Sequence, residues 1–169
     1  SAAEAYASRP RRRAVLRQGR AGQDDHTPAC LRILAADQRA LYPRAGADAV
    51  ALINTVLGMV IDVDAMRPKL AGKTGGLSGP AIRPVAVRAI YQVREALPNL
   101  PILGMGGVSS GRDALELVLA GANAVSVGTA NFGNPTATIK VKRELQHLLE
   151  ERGFNKFTDA IGYSHSSYI

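Results

Sequence analysis

Two apolar runs that end in glycine carry the most legible chemistry of this chain. Leu100-Pro101-Ile102-Leu103-Gly104-Met105 runs into Gly106–Gly107, and Ala124-Val125-Ser126-Val127 runs into Gly128–Thr129. Glycine at the carboxyl end of a parallel strand lets a ligand approach the backbone closely. Two such ends side by side make a cup of backbone N–H groups, and such a cup suits a phosphate. A third candidate, Gly72-Lys73-Thr74, fails as a Walker-type loop. That motif needs a glycine where Arg67 stands, and its lysine should open a helix, whereas Gly75, Gly76 and Gly79 follow here. The histidines His26, His147 and His165 are scattered, and no metal-ligand spacing appears. Cys30 is the single cysteine, so no internal disulfide forms, in keeping with a reducing compartment. We read it as structural or incidental rather than catalytic.

The elements that would position the glycine turns follow from periodicity. Ala45-Gly46-Ala47-Asp48-Ala49-Val50-Ala51-Leu52-Ile53-Asn54-Thr55 reads as a turn and a buried strand, and it recurs as Ala120-Gly121-Ala122-Asn123-Ala124-Val125-Ser126-Val127-Gly128-Thr129. A helix-capping glycine feeding a strand, twice, implies equivalent αβ units. Gly58 to Pro80 reads as a long connection without structure, a kind that is usually functional. A helix is expected over Ala81–Leu97, with Ile82, Val85, Ala86, Ala89, Ile90, Val93 and Leu97 on one stripe and Pro98 as its stop. A strand at Ile102–Gly104 follows. Ser110 with Asp113 forms a capping-box pattern for a helix that buries Leu115, Val118 and Leu119 and ends at Gly121. The next strand is Ala124–Val127, and Ala130 to Pro135 is a turn. A last long helix covers Thr136–Arg152, with Val141, Leu145, Leu148 and Leu149 inward, His147 solvated and Gly153 as its cap.

This order, without hairpin signals, predicts an α/β fold with a parallel sheet. A doubly wound sheet carries its phosphate turn at the first strand, whereas here the turns lie at the last two, which favours a TIM barrel. At 169 residues the chain is short of the roughly 250 of a whole barrel, and three strands do not close one.

The net charge of +7 sits mainly at the start: residues 1–45 hold nine arginines, no lysine and four acids. A nucleic-acid reading would rest on Arg9, Arg11, Arg12, Arg13, Arg17 and Arg20. No aromatic residue lies between Arg9 and Arg20 to stack a base, which argues against it. Residues 1–28 lack periodicity, and a helix is plausible from Ala29 to Tyr42. No apolar run reaches the ~18 residues of a membrane span, so a soluble, cytoplasmic protein without a membrane partner is expected.

Four ordered blocks then resemble a known family. They are Ala-Gly-Ala-Asp-Ala-Val-Ala-Leu-Ile-Asn-Thr-Val-Leu-Gly-Met (45–59), Thr-Gly-Gly-Leu-Ser-Gly-Pro-Ala-Ile-Arg-Pro (74–84), Pro-Ile-Leu-Gly-Met-Gly-Gly-Val (101–108) and Ala-Gly-Ala-Asn-Ala-Val-Ser-Val-Gly-Thr-Ala (120–130). With Ile-Gly-Tyr-Ser-His (161–165), they resemble the C-terminal part of the dihydroorotate dehydrogenases, in the class 1B catalytic form. The resemblance implies that residues 44–169 form the C-terminal portion, strands 6–8, of a (β/α)8 TIM barrel that binds FMN. Residues 1–43 stand apart as an unmatched, arginine-rich, partly disordered segment.

By the same resemblance, Ile53 and Gly79 would contact the flavin, and Gly106, Gly107, Gly128 and Thr129 would hold its phosphate. Asn54 and Thr55 would bind the substrate. An amide and a hydroxyl at a strand end do suit a ring with alternating donors and acceptors. The implied reaction is oxidation of dihydroorotate to orotate in pyrimidine biosynthesis, in a homodimer or a heterotetramer with an FAD and iron–sulfur electron-transfer subunit. The family's base, a cysteine in a Ser-Cys-Pro-Asn-like loop, and its flavin-contacting lysine have no counterpart here, so no catalytic residue is assigned. The isolated chain is expected to be inactive, and the abrupt start of the match near Arg44 suggests a truncated or frame-shifted copy. Two other readings are a phosphate-binding half-barrel of another FMN or sugar-phosphate enzyme, and a non-enzymatic basic interaction fragment.

Overall fold

A computed structural model of the protein describes residues 48–166. The arginine-rich segment, the helix expected over Ala29–Tyr42, Cys30, His26 and the boundary at Arg44 lie outside the described residues. Three strands form a parallel sheet in the order β1 (Val50–Leu52), β6 (Ile102–Met105), β7 (Ala124–Ser126). Val50 pairs with Ile102, and Leu103 pairs with Ala124 on the other side. Helix α1 (Arg83–Ala96) links β1 to β6, and α2 (Gly111–Ala120) links β6 to β7. The expected parallel α/β arrangement is present.

The core lies between this sheet and the two helices. Ile90 and Leu117 from the helices and Ile102 from β6 are among its largest fully buried side chains. Each contributes on the order of 1.5–3 kcal/mol by leaving water. Gly104 in β6 permits the close approach of α1: a Cβ there would stand 2.8 Å from Ala122 Cβ and 3.1 Å from Ile90 Cδ1. A 3-10 turn, Pro80–Ile82, leads into α1; Pro80 opens the 3-10 turn and Pro84 lies in the first turn of α1, where the missing N–H costs nothing. Ser110 caps α2 with the full capping box expected of it. The α2 face differs in one residue: Leu117 is fully buried and Leu119 only half-buried.

The connection after β1 is not structureless. Val56–Met59 (β2) pairs antiparallel with Thr74–Leu77 (β5), and Ile61–Asp62 (β3) pairs with Arg67–Pro68 (β4). These hairpin pairings correct the expectation of an unstructured Gly58–Pro80 loop and of a chain without hairpins. Tight reversals occur where Met66 and Lys73 take positive φ, residues that carry no turn signature. Lys73 therefore leads into a strand, not a helix, as the rejection of the phosphate loop requires. The turn expected at Ala130–Pro135 holds a one-turn helix, α3 (Ala130–Gly133), before α4 (Ala137–Glu151).

Helix α4 packs on α2 so closely that a Cβ on Gly111 would fall 2.4 Å from Glu144 Cβ. Val141 and Leu149 face inward, with Leu145 and Leu148 half-buried, and His147 is exposed beside Glu151. After α5 (Phe157–Ala160) the chain returns to the end of α2. There the Gly162 N–H donates to the Val118 carbonyl, and Ser164 Oγ donates to that of Leu119. His165 Nε2 lies 3.1 Å from the Ala120 carbonyl, and its ring stacks on Tyr91 with centroids 3.9 Å apart. The Leu119 and Ala120 carbonyls at the helix end thus find partners in the tail, and the Val118 carbonyl accepts from Gly162 as well as from the Gly121 N–H.

Candidate functional site at the strand ends

The register sets the carboxyl ends of β1, β6 and β7 side by side, with Leu52 opposite Gly104 and Met105 opposite Ser126. The Ile53 N–H donates to the Met105 carbonyl at 2.8 Å, which carries the pairing past β1. Ile53 is buried against Gly106, where an added Cβ would lie 3.3 Å from Ile53 Cγ1 and 3.0 Å from Ala86 Cβ. Gly107 is more confined. Its φ is +72°, and a Cβ there would stand 2.8 Å from the Gly79 carbonyl oxygen and 2.9 Å from Arg83 Cβ. Only glycine satisfies both demands. Gly79 has φ +84°, yet a Cβ on it would meet nothing within 4 Å. The two turns therefore meet backbone to backbone, closed by α1 behind and open in front.

Gly79, Gly106 and Gly107 thus come together, with Ile53 buried against Gly106. Gly128 and Thr129 follow at the end of the neighbouring strand, both exposed, with open space where a Gly128 Cβ would be. Their turn is shaped by Asn131, whose Nδ2 donates to the Val127 carbonyl at 2.8 Å and to that of Gly128 at 3.2 Å. Asn131 Oδ1 accepts from Thr138 Oγ1 at 3.0 Å. Asn131 is not among the residues that the sequence pattern singles out. The available signal was an Asn three residues past a strand-end glycine, where Asn side chains tend to bond local backbone.

Asn54 and Thr55 are exposed just beyond β1. Asn54 Oδ1 accepts the Thr55 N–H at 2.8 Å. Thr55 packs against β5: a Cβ on Gly76 would be 2.7 Å from Thr55 Cβ. Thr55 is therefore also the tie between the strand end and the ribbon β2–β5.

Behind the Gly106–Gly107 turn lies a buried carboxylate. Asp113 Oδ2 accepts from the Ser109 N–H at 3.0 Å, Ser109 Oγ at 2.9 Å and the Ser110 N–H at 2.9 Å. Arg83 Nη1 is 2.7 Å from Asp113 Oδ1, and Arg83 Nε is 2.9 Å from Glu116 Oε2. Burial alone would raise the Asp113 carboxyl; the hydrogen bonds from Ser109 and Ser110 and the Arg83 charge outweigh it and hold the group below its ordinary value. Among the described residues, no group of three or more His, Cys, Asp or Glu could hold a metal. A cavity of about 440 Å³ lined by Leu119, Phe154 and Tyr163 belongs to the docked tail and takes in none of the strand-end residues.

The family described as dihydroorotate dehydrogenase matches residues 28–149. The chain belongs to the dihydroorotate dehydrogenase family. That match starts ahead of Arg44, inside the segment set apart on sequence. The chain is 54% identical over 121 residues to the dihydroorotate dehydrogenase B (NAD(+)) catalytic subunit of Desulforudis audaxviator, covering 72% of this chain and 39% of that protein. It is 53% identical over 117 residues to the protein of the same name from Oceanobacillus iheyensis, covering 69% and 38%. The chain thus spans about two fifths of the length of these relatives. Among solved structures, dihydroorotate dehydrogenase of Eimeria tenella in complex with ferulenol superposes with a TM-score of 0.64 at 28% identity, over 76% of this chain and 34% of that one.

Proposed function

We propose that this chain supplies the flavin-phosphate and pyrimidine-contacting part of an FMN-dependent dihydroorotate dehydrogenase, with β1, β6 and β7 as strands 6, 7 and 8 of a (β/α)8 barrel. The observation that carries the reading is the contact of Gly107 with the Gly79 carbonyl, which brings two glycine turns together beneath an open face. The residues fit the group. Gly79 and Gly128 leave room where a side chain would stand, and Gly106–Gly107 offer backbone without side chains. Gly106, Gly107, Gly128 and Thr129 would hold the phosphate, and Ile53 and Gly79 would touch the flavin.

Bound FMN would supply the hydride-accepting ring for oxidation of dihydroorotate to orotate. This chain's own residues bind and orient. With its Oδ1 accepting from the Thr55 N–H, Asn54 would offer its N–H donors to a ring carbonyl, and the Thr55 hydroxyl would serve a neighbouring ring position. The base would come from elsewhere in the enzyme. The relatives' name, the catalytic subunit of an NAD(+) enzyme, supports a partner subunit; on this reading the partner is an FAD and iron–sulfur electron-transfer subunit, and the enzyme is a cytoplasmic homodimer or heterotetramer.

The test is titration of the purified chain with FMN, riboflavin and inorganic phosphate, followed by orotate on the flavin-loaded protein. Flavin fluorescence should quench with FMN in preference to riboflavin, and orotate should perturb the flavin absorbance. Asn54→Ala should weaken orotate about tenfold, the loss of one or two hydrogen bonds to the ring. Flavin binding that ignores the phosphate, or orotate affinity untouched by the Asn54 change, would overturn the reading. Uptake of phosphate or a sugar phosphate without flavin would point to a different phosphorylated ligand.

A further inference from the structure

The Gly106–Gly107 turn is bracketed by charge. It leaves β6, passes Val108, and enters α2 through Ser109 and Ser110, both of which donate to Asp113. On its other side it rests on the first turn of α1, where a Gly107 Cβ would fall 2.9 Å from Arg83 Cβ and 3.1 Å from the Arg83 nitrogen. Arg83 then reaches across to Asp113 at 2.7 Å and to Glu116 at 2.9 Å. One side chain therefore ties the two helices that flank the turn.

We infer that Arg83 and Asp113 are positioning residues for anion binding at this turn. Asp113 fixes the exit of the turn through its three accepted bonds. Arg83 clamps α1 to α2 and cancels the carboxylate charge that would otherwise oppose a phosphate close by. The inference rests on the flavin-phosphate reading of Gly106–Gly107. Two features separate it from plain packing. Arg83 is about a quarter exposed (28%), so its loss leaves no large cavity. The carboxylate carries a full negative charge behind a cup that is proposed to take a dianion, so an unpaired Asp113 would work against the ligand over a short range.

The test compares FMN with riboflavin, which shares the ring and lacks the phosphate. In the full chain, Arg83→Gln should weaken FMN about tenfold, the scale of a lost charge-assisted contact, and leave riboflavin affinity unchanged. Arg83→Lys should recover part of that loss, because an ammonium restores the charge but not the two-pronged reach to Asp113 and Glu116. Adding Asp113→Asn to Arg83→Gln should recover part of the FMN affinity, since the nearer of the two uncompensated charges is gone while the amide oxygen can still accept from Ser109 and Ser110 and Glu116 stays unpaired. Equal loss of FMN and riboflavin affinity in Arg83→Gln would overturn the inference and leave a structural role. A wild-type chain that prefers FMN, with Arg83→Gln keeping the full preference, would overturn the role of Arg83 alone. A wild-type chain without preference would overturn the phosphate reading and this inference with it.

Discussion

The Asp113 carboxylate is shared by three donors from Ser109 and Ser110 and by the Arg83 guanidinium. Its folded pKa lies below the ordinary value of 3.8, so its ionised form stabilises the fold above that value. The contribution is lost as pH falls through the lowered folded pKa. Urea unfolding followed from neutral pH into the acid range should show this loss, and Asp113→Asn should flatten the acid slope while lowering stability near neutrality. An acid slope that survives the substitution would assign it to other carboxylates. Much of this was open to sequence reasoning, because Ser110 and Asp113 stand at the spacing of a capping box. Arg83 was not. Its partners lie on another helix, and no local pattern points from an arginine at a helix start to a carboxylate one αβ unit away.

At the scale of elements, the join between α1, β6 and the Gly121 turn is held by Arg94. Its Nη2 donates to the Gly121 carbonyl at 2.7 Å and to Asn123 Oδ1 at 2.5 Å, and its Nη1 donates to the Pro98 carbonyl. Asn123 Oδ1 also accepts the Ile102 N–H at 2.8 Å. Gly121 itself has φ +125°, and a Cβ there would fall 2.6 Å from Arg94 Cβ. Arg94→Ala should therefore cost about 1–3 kcal/mol, since it leaves the part-buried Gly121 carbonyl without its charged donor. The measurement is the urea midpoint, with Arg94→Lys recovering only part, because an ammonium lacks the planar fork. A change within about 0.5 kcal/mol, the range of ordinary surface substitutions, would show that the join does not depend on it. The helices themselves were legible, since their apolar stripes repeat at helical spacing. The ribbon β2–β5 was not. Its strands are four residues each, half glycine in β5, with no alternation to read.

At the scale of the whole molecule, the parallel sheet followed from αβ alternation and the two glycine-capped repeats. The order β1–β6–β7 and the meeting of Gly79 with Gly107 needed three dimensions. Residues far apart in sequence are involved, and pattern alone carries no register. The ribbon has a further consequence for how the chain finds this arrangement. Val50 must meet Ile102, and the whole β2–β5 segment and α1 lie between them. Closing a loop costs entropy that grows with its length. When Val56 pairs with Leu77, the intervening stretch leaves the loop, and the search that joins β1 to β6 shortens by roughly half a kcal/mol. Gly76→Ala, which would drive a Cβ into Thr55, should loosen that clasp and slow refolding about twofold in stopped-flow mixing. If the whole effect fell on the unfolding rate instead, the ribbon would close only after the sheet had formed. A hairpin invisible to sequence patterning would then be a late ornament of the fold; if refolding slows, it is the early contact that brings the two halves of the site within reach of each other.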